Sequence, residues 1–178
     1  MKKLLVIVCV LCAAAVSTFA QGVINFNNST TSKILLEDGT AAPVGSLTVG
    51  LFYNPNADAT DISTFSLAAT TGIKLPGIFS GGVIEIPGSK AGDIVAITVK
   101  AWSASFADYA AAETGGGLVG TWDQILKVSL GGGTLPTPSL AASGFTGFQV
   151  ATAAVIPEPS TIALGILGAA ALLLRRRN

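Results

Sequence analysis

Carboxylates are the main side chains through which this sequence could carry out acid–base chemistry. The chain contains no histidine, and its two cysteines, Cys9 and Cys12, fall in an apolar stretch near its start. The usual general base, the common zinc ligand sets and a nucleophile with a histidine partner are therefore excluded. Five acids could in principle supply the carboxyl pair of a glycoside hydrolase: Glu85, Asp93, Asp108, Glu113 and Asp123. They fall at turns and strand ends, where acids are usually solvated, so we expect no enzyme.

One loop has the spacing of a weak metal site. Oxygen-bearing side chains alternate along residues 54–61, and the candidate ligands are Asn54, Asn56, Asp58 and Asp61. Calcium takes about six to eight oxygens, commonly including a bidentate acid. The glycine and the terminal glutamate of an EF-hand loop are missing, so a plain turn is the favoured interpretation. We expect no metal and no other cofactor.

Aromatic side chains offer a binding function instead. Five of them could form a platform on which sugar rings stack: Trp102, Trp122, Tyr53, Tyr109 and Phe106. The partner of such a surface would be an extracellular polysaccharide. Aromatic residues are few in this part of the chain, so packing in the core is the alternative role for most of them.

Glycine runs and an asparagine-rich stretch carry no recognisable chemistry. The triplets at residues 115–117 and 131–133 are not followed by Lys-Ser/Thr and do not open a βαβ pattern, so they predict loops rather than phosphate sites. Residues 27–30, Asn-Asn-Ser-Thr, contain overlapping glycosylation sequons. We interpret them as a turn.

The elements that carry these residues have the periodicity of β-strands. Runs rich in β-branched and aromatic residues, separated by Gly, Pro, Asn and Asp, predict strands at residues 23–26, 47–53, 83–86, 94–102, 125–130 and 145–150, with shorter candidates at 33–36 and 64–67. Residues 94–102 are apolar on nearly both faces, which indicates a central strand. One short helix is expected, with an N-cap at Ser105 and an end at Gly115. We therefore predict an all-β fold, an antiparallel β-sandwich of jelly-roll-like type with one short helix.

The central part of the chain is mildly acidic. Residues 21–157 contain five lysines and nine acids, a net charge of −4. A nucleic-acid-binding domain would need a basic face. We therefore expect no nucleic-acid partner.

The first twenty residues have the pattern of a secretory signal peptide. Lys2 and Lys3 precede an apolar segment at residues 4–15, and small residues stand before the boundary between Ala20 and Gln21. We predict a signal helix over residues 1–20 and cleavage after Ala20, with signal peptidase and the secretion machinery as partners. A retained membrane anchor is the alternative. Both cysteines would be removed by this cleavage, so the mature protein would have no disulfide.

The end of the chain has three successive parts. Pro157, Glu158 and Pro159 hold an extended polar motif, residues 162–174 contain only Ala, Leu, Ile and Gly, and three arginines follow. The apolar run is about 20 Å long as a helix, which is shorter than the ~30 Å hydrocarbon core of a bilayer. We predict a transmembrane helix that forms a weak anchor in the inner membrane, with Arg175, Arg176 and Arg177 on the cytoplasmic side. A buried core helix is the alternative.

Residues 155–178 resemble the PEP-CTERM sorting signal of exported bacterial proteins. The order of Pro157-Glu158-Pro159, apolar helix and arginine cluster carries the resemblance. It implies recognition of the motif by an exosortase, a membrane transpeptidase, and a transient stay in the inner membrane. Family members are commonly associated with biofilm or extracellular polymer. The implied order of parts is a signal peptide at 1–20, a β-sandwich domain at 21–150, a linker at 151–156 and the sorting signal at 157–178.

The favoured hypothesis is an exported, non-enzymatic protein of the cell surface or extracellular matrix. The main alternative is a carbohydrate-binding module displayed on the surface. A carboxylate-based glycan hydrolase is the third hypothesis.

Overall fold

The computed structural model describes residues 21–154, and this part of the chain is all-β with one short helix. The strands are β1 (Gln21–Asn27), β2 (Ile34–Leu35), β3 (Leu47–Asn54), β4 (Ser66–Leu75), β5 (Ile78–Lys90), β6 (Ile94–Ser103), β7 (Leu118–Thr121), β8 (Leu126–Ser129), β9 (Phe148–Gln149) and β10 (Ala151–Thr152). A 3₁₀ turn covers Ile62–Thr64, and helix α1 covers Tyr109–Thr114. The prediction of an all-β fold is confirmed.

Antiparallel pairing joins eight of these strands in the order β1-β5-β4-β3-β6-β7-β10, with β8 also paired to β6. Strands β3, β4 and β5 follow one another along the chain, and β6 returns to lie beside β3. This connection is a Greek key. The described strands also include one parallel pair, formed by β2 and β9.

Strands β4 and β5 separate soon after their shared turn. They are in register only at Ile73 opposite Phe79 and at Leu75 opposite Ile78. Beyond these positions β4 pairs with β3, whereas β5 pairs with β1. Two groups of strands therefore diverge from one hairpin.

The other end of β1 meets the segment that follows β8. The Val23 amide donates to the Gly131 carbonyl at 3.0 Å, and the Gly131 amide donates to the Val23 carbonyl at 2.9 Å. Backbone pairing thus runs from β1 through β5, β4, β3, β6 and β8 and then back to β1.

The buried apolar side chains form one core. Its members come from β1, β2, β3, β4, β5, β6 and β8, from the loops that follow β2, β7 and β8, and from Val150 between β9 and β10. Aromatic rings meet within it: the ring centroids of Phe26 and Phe79 are 4.9 Å apart, those of Phe79 and Phe145 are 5.9 Å apart, and those of Phe145 and Trp122 are 5.0 Å apart. These tilted and edge-on contacts add to the burial of apolar surface.

Strand β6 is the central strand that its composition predicts. Val95, Ile97 and Val99 are buried on the core side, and Thr98 and Trp102 are buried on the opposite side. The Thr98 hydroxyl donates to the Trp122 carbonyl at 3.0 Å. Burial of both faces explains why the apolar pattern of this strand does not alternate.

Other boundaries differ from the sequence prediction. Strand β4 runs ten residues from Ser66, and β5 runs thirteen residues from Ile78. Their Gly, Ser and Thr content and exposed faces hide them from a search for apolar runs. The predicted strand at 145–150 shrinks to Phe148–Gln149, and two residues of the predicted linker form β10.

Helix α1 begins later than predicted. Its N-cap is Asp108, whose carboxylate accepts a hydrogen bond from the Ala111 amide, rather than Ser105. Both residues are good caps, and the sequence prediction places Asp108 at the N3 position of a capping box that begins at Ser105. The predicted end at Gly115 is confirmed as the C-cap.

No helix within residues 21–154 is long and apolar enough to cross a membrane. The predicted signal helix at 1–20 and the predicted transmembrane helix at 162–174 lie outside the described residues.

Candidate functional site

Most residues of the two predicted terminal signals fall outside the described part of the chain. These are Ala20, Pro157, Glu158, Pro159, Arg175, Arg176 and Arg177. Gln21, on the other side of the predicted cleavage point, is the first residue of β1 and lies opposite Lys90 of β5.

The side-chain oxygens of the candidate calcium loop serve the loop itself. The side-chain oxygen Oδ1 of Asn54 accepts a hydrogen bond from the backbone amide of Asn56. The side-chain oxygen of Asn56 likewise accepts one from the backbone amide of Asp58. Both bonds form Asx turns. The Lys127 ammonium donates to the Asp58 carboxylate. This hydrogen bond and the lysine charge hold the pKa of Asp58 below its ordinary value.

Asp61 ends this loop as the N-cap of the 3₁₀ turn. Its carboxylate accepts from the Ser63 amide at 2.9 Å and from the Ser63 hydroxyl at 2.7 Å, and these bonds lower the pKa of Asp61. Within residues 21–154, no group of three or more acids is arranged to hold a metal ion. The hydrogen bonds to Asn54, Asn56 and Asp61 give the loop a turn structure.

The five acids considered for catalysis have separate structural positions. Glu85 is exposed on β5, Glu113 is exposed on α1, and Asp123 is exposed after β7. Asp93 accepts a hydrogen bond from the Lys90 amide in the turn before β6, and Asp108 caps α1.

Three of the five aromatic residues proposed for a sugar platform lie elsewhere. Trp122 is buried in the core, and its indole N–H donates to the Thr146 hydroxyl at 3.2 Å. The Phe106 ring lies against Gly115 and Gly117. Tyr53 is half-buried against the core. A platform of all five rings is therefore wrong, and core packing is the role of Trp122.

The remaining two, Trp102 and Tyr109, meet on the sheet face that points away from the core. Their ring centroids are 6.5 Å apart at an interplanar angle of 84°. They line a cleft of about 330 Å³, which we call the outer cleft. Its residues are Phe52, Leu67, Lys100, Trp102, Asp108, Tyr109 and Ala110.

Strand register brings the floor of the outer cleft together. Gly50 of β3 lies opposite Lys100 of β6, so both point to the same face. A Cβ atom on Gly50 would lie 2.9 Å from the rings of both Phe52 and Trp102 and 3.0 Å from Leu67. The absent side chain is what allows these three residues to converge.

Helix α1 forms the wall of the outer cleft. The Asp108 cap fixes where the helix begins, which places Tyr109 beside Trp102. The Tyr109 hydroxyl and the Thr121 hydroxyl of β7 are hydrogen-bonded at 3.1 Å. The wall is therefore attached to the sheet by a side-chain bond.

A lysine sits among the rings of the outer cleft. The Lys100 ammonium is 4.9 Å from the Phe52 ring centroid and 5.1 Å from the Tyr109 ring centroid. Both distances are within the range of cation–π attraction. Lys100 forms no ion pair within residues 21–154, where the salt bridge is that of Lys127 with Asp58.

The Trp102 side chain carries a polar group without a partner. Trp102 is 1% exposed, and its indole N–H has no hydrogen-bond partner among the described residues. A buried donor in this state costs about 1–3 kcal/mol. The cleft itself combines apolar walls with a cation, a composition typical of small-ligand sites.

Comparisons with protein-family models, curated proteins and solved structures find no match for this chain.

Sequence reasoning missed Phe52, Leu67 and Lys100. Phe52 follows Gly50 at a spacing of two on β3, and Lys100 precedes Trp102 at the same spacing on β6. This spacing puts each pair on one face of its strand. The spacing within each strand could therefore have shown which residues share a face. It could not have shown that β3 pairs with β6.

Proposed function

We propose that the chain is an exported, non-enzymatic protein of the cell surface or extracellular matrix. The observation that carries the proposal is the order of the sequence. Lys2, Lys3 and an apolar segment at residues 4–15 precede the folded domain, and Pro157-Glu158-Pro159, an apolar run and three arginines follow it. The strand β10 ends at Thr152, before Pro157. A folded domain between two removable signals is what delivery to the surface needs.

Delivery follows the order of the sequence. The N-terminal signal directs secretion, residues 162–174 hold the chain transiently in the inner membrane, and an exosortase reads Pro157, Glu158 and Pro159. The arginine cluster keeps the tail on the cytoplasmic side. The folded domain is then released or transferred to the surface.

The domain itself is proposed to be a jelly-roll-like antiparallel β-sandwich. The Greek key of β3 to β6 supports this description, as does the separation of β4 and β5 onto different partners. Buried residues from both groups of strands belong to a single apolar cluster, which also fits a sandwich. Such a sandwich is stable without disulfides if its core is large enough.

Cell fractionation tests the delivery proposal. Glu158→Ala, and separately deletion of residues 175–177, should leave the precursor in the membrane fraction or misplaced, while the unaltered protein reaches the surface or medium. Glu113→Ala is the matched control, because Glu113 is an exposed acid within the folded domain. Mass spectrometry of the exported protein should find Gln21 as the first residue. Normal delivery of both altered proteins would contradict the proposal.

A second candidate function is a carbohydrate-binding module on the surface. The outer cleft favours this function, because the half-buried rings of Tyr109 and Phe52 lie beside the Lys100 ammonium. A purely structural domain needs no such cleft. A glycan array distinguishes the two candidates. Selective binding would support the module, and uniform absence of binding would leave the matrix protein.

A further inference from the structure

We propose that the outer cleft binds a uronic acid unit of an acidic polysaccharide, with the Lys100 ammonium on the sugar carboxylate. This inference rests on the carbohydrate-binding candidate above and specifies the class of sugar. Its basis is the charge of the cleft, the nature of its walls and its size.

The charge of Lys100 selects an anionic group. The ammonium has no acid partner within residues 21–154 and is positioned by the rings of Phe52 and Tyr109. A lysine fixed in this way loses little side-chain freedom on binding, which favours affinity. Its three N–H donors remain available to a carboxylate, and hydrogen bonds between charged groups are the strong ones.

Among the described residues, Asp108 is the one acid that lines the outer cleft, and it opposes an anionic ligand by its charge. One of its carboxylate oxygens is engaged with the Ala111 amide at 2.8 Å. The carboxylate can still accept hydrogen bonds from sugar hydroxyl groups. The cleft therefore offers a donor for the carboxylate of a sugar and an acceptor for its hydroxyls, a combination that suits a uronic acid better than a fatty acid.

The walls suit the apolar C–H face of a sugar ring. Leu67 is 48% exposed, and Phe52 and Tyr109 are half-buried, so all three present apolar surface. The volume of about 330 Å³ is at the lower end of the ~300–1,000 Å³ range of ligand sites. We therefore expect one sugar unit to enter while the rest of the polysaccharide stays outside.

The domain charge of −4 over residues 21–157 disfavours non-specific attraction of polyanions, so recognition has to be local.

Isothermal titration calorimetry on the full chain in a non-ionic detergent tests the proposal. The probe is a galacturonic acid trimer, and its control is the same trimer with the carboxyl groups reduced to hydroxymethyl groups. We expect the acidic trimer to bind at least tenfold more tightly than the reduced one. Lys100→Gln should remove this preference, and Lys100→Arg should retain most of it.

Lys74→Gln is the matched control, because Lys74 is an exposed lysine on the neighbouring strand β4 that does not line the cleft. It should bind the acidic trimer as the unaltered chain does. Equal binding of both trimers, insensitive to Lys100→Gln, would overturn the uronic acid assignment but leave the carbohydrate-binding candidate. Binding of neither trimer, together with a blank glycan array, would overturn both and leave the delivery proposal untouched.

Discussion

Asn28 joins segments that are distant in the sequence. Its amide nitrogen donates to the carbonyls of Ser32 and Gly77 at 2.8 and 2.9 Å, and its oxygen accepts from the Phe79 amide at 2.8 Å. The residue is 6% exposed. The Asn-Ser-Thr stretch therefore forms the predicted turn, and the buried amide attaches that turn to the β4–β5 hairpin.

Replacing Asn28 by Ala should be costly, because it removes three buried hydrogen bonds. Within residues 21–154, only the one to the Gly77 carbonyl ends on a group with another partner, the Ile34 amide. We expect the free energy of unfolding to fall by about 2–4 kcal/mol. Urea unfolding followed by fluorescence measures this change. Asn56→Ala is the control, since Asn56 is exposed and its side chain accepts one local bond. A loss at Asn28 no larger than that at Asn56 would show that the buried network contributes little.

Three exposed aspartates should make stability depend on pH. The pKa of Asp58 is lowered by the hydrogen bond and charge of Lys127, and those of Asp38 and Asp61 are lowered by hydrogen bonds from a hydroxyl and an amide two residues later. Folding depresses each pKa below the ordinary 3.8. The stabilisation is therefore present above that pH and is lost as pH falls through the lower folded value.

Replacing these three aspartates by Asn should reduce the loss of stability in acid. We expect the free energy of unfolding to change less between about pH 6 and about pH 3 in this triple variant than in the unaltered chain. The reduction should be small, because solvent screens exposed groups. Urea unfolding at the two pH values measures it. Asp123→Asn, an exposed acid outside these turns, is the control. An unchanged difference in the triple variant would refute the linkage.

At the scale of elements, the outer cleft exists because three strands and a helix present their side chains to one face. Gly50 supplies the space, and the Phe52 and Trp102 rings occupy it. Rings that cover a strand glycine compensate for the missing side chain. The glycine is buried, although it carries no side chain of its own.

Gly50→Ala should push the rings apart. The added carbon would lie 2.9 Å from both, and we expect a loss of about 1–3 kcal/mol from overpacking. Gly72→Ala on β4 is the matched control, because its nearest neighbour is the Leu47 carbonyl at 3.8 Å. That change should stabilise the strand by about 0.5–1 kcal/mol. Thermal unfolding of both variants tests the difference, and equal shifts in melting temperature would contradict the close packing.

At the scale of the whole molecule, loop residues complete the apolar core. Phe145 belongs to no strand, yet it is 3% exposed and touches Phe79, Trp122 and Phe148. Phe79 comes from β5 and Phe148 from β9. The segment after β8 is therefore part of the core rather than a surface connection.

Phe145→Ala should destabilise the protein as much as a substitution in a core strand. Phenylalanine-to-alanine changes in cores cost about 3–5 kcal/mol, and we expect a loss in this range. Val83→Ala, at a residue 62% exposed on β5, should change the free energy of unfolding by less than about 0.5 kcal/mol. Guanidinium unfolding measures both. A small loss for Phe145 would place the core mainly within the strands.

The sequence by itself determined the local features. The spacing of Val95, Ile97 and Val99 indicated a core strand, glycines ended the helix, and the lack of histidine limited the available chemistry. These properties depend on neighbours within a few residues, and the alternation of side chains along a strand is fixed by its geometry. The two terminal signals also follow from local patterns and stay predictions.

Which side chains meet depends on the tertiary structure. Trp102 and Trp122 were both candidates for a sugar platform, but the first lines the outer cleft and the second fills the core. The surroundings of Trp102 depend on the register of β3 with β6, which sets Gly50 beside Lys100. Register depends on burial across the whole sheet, and a shift of one residue would turn these side chains to the other face. No pattern within a single strand contains that information.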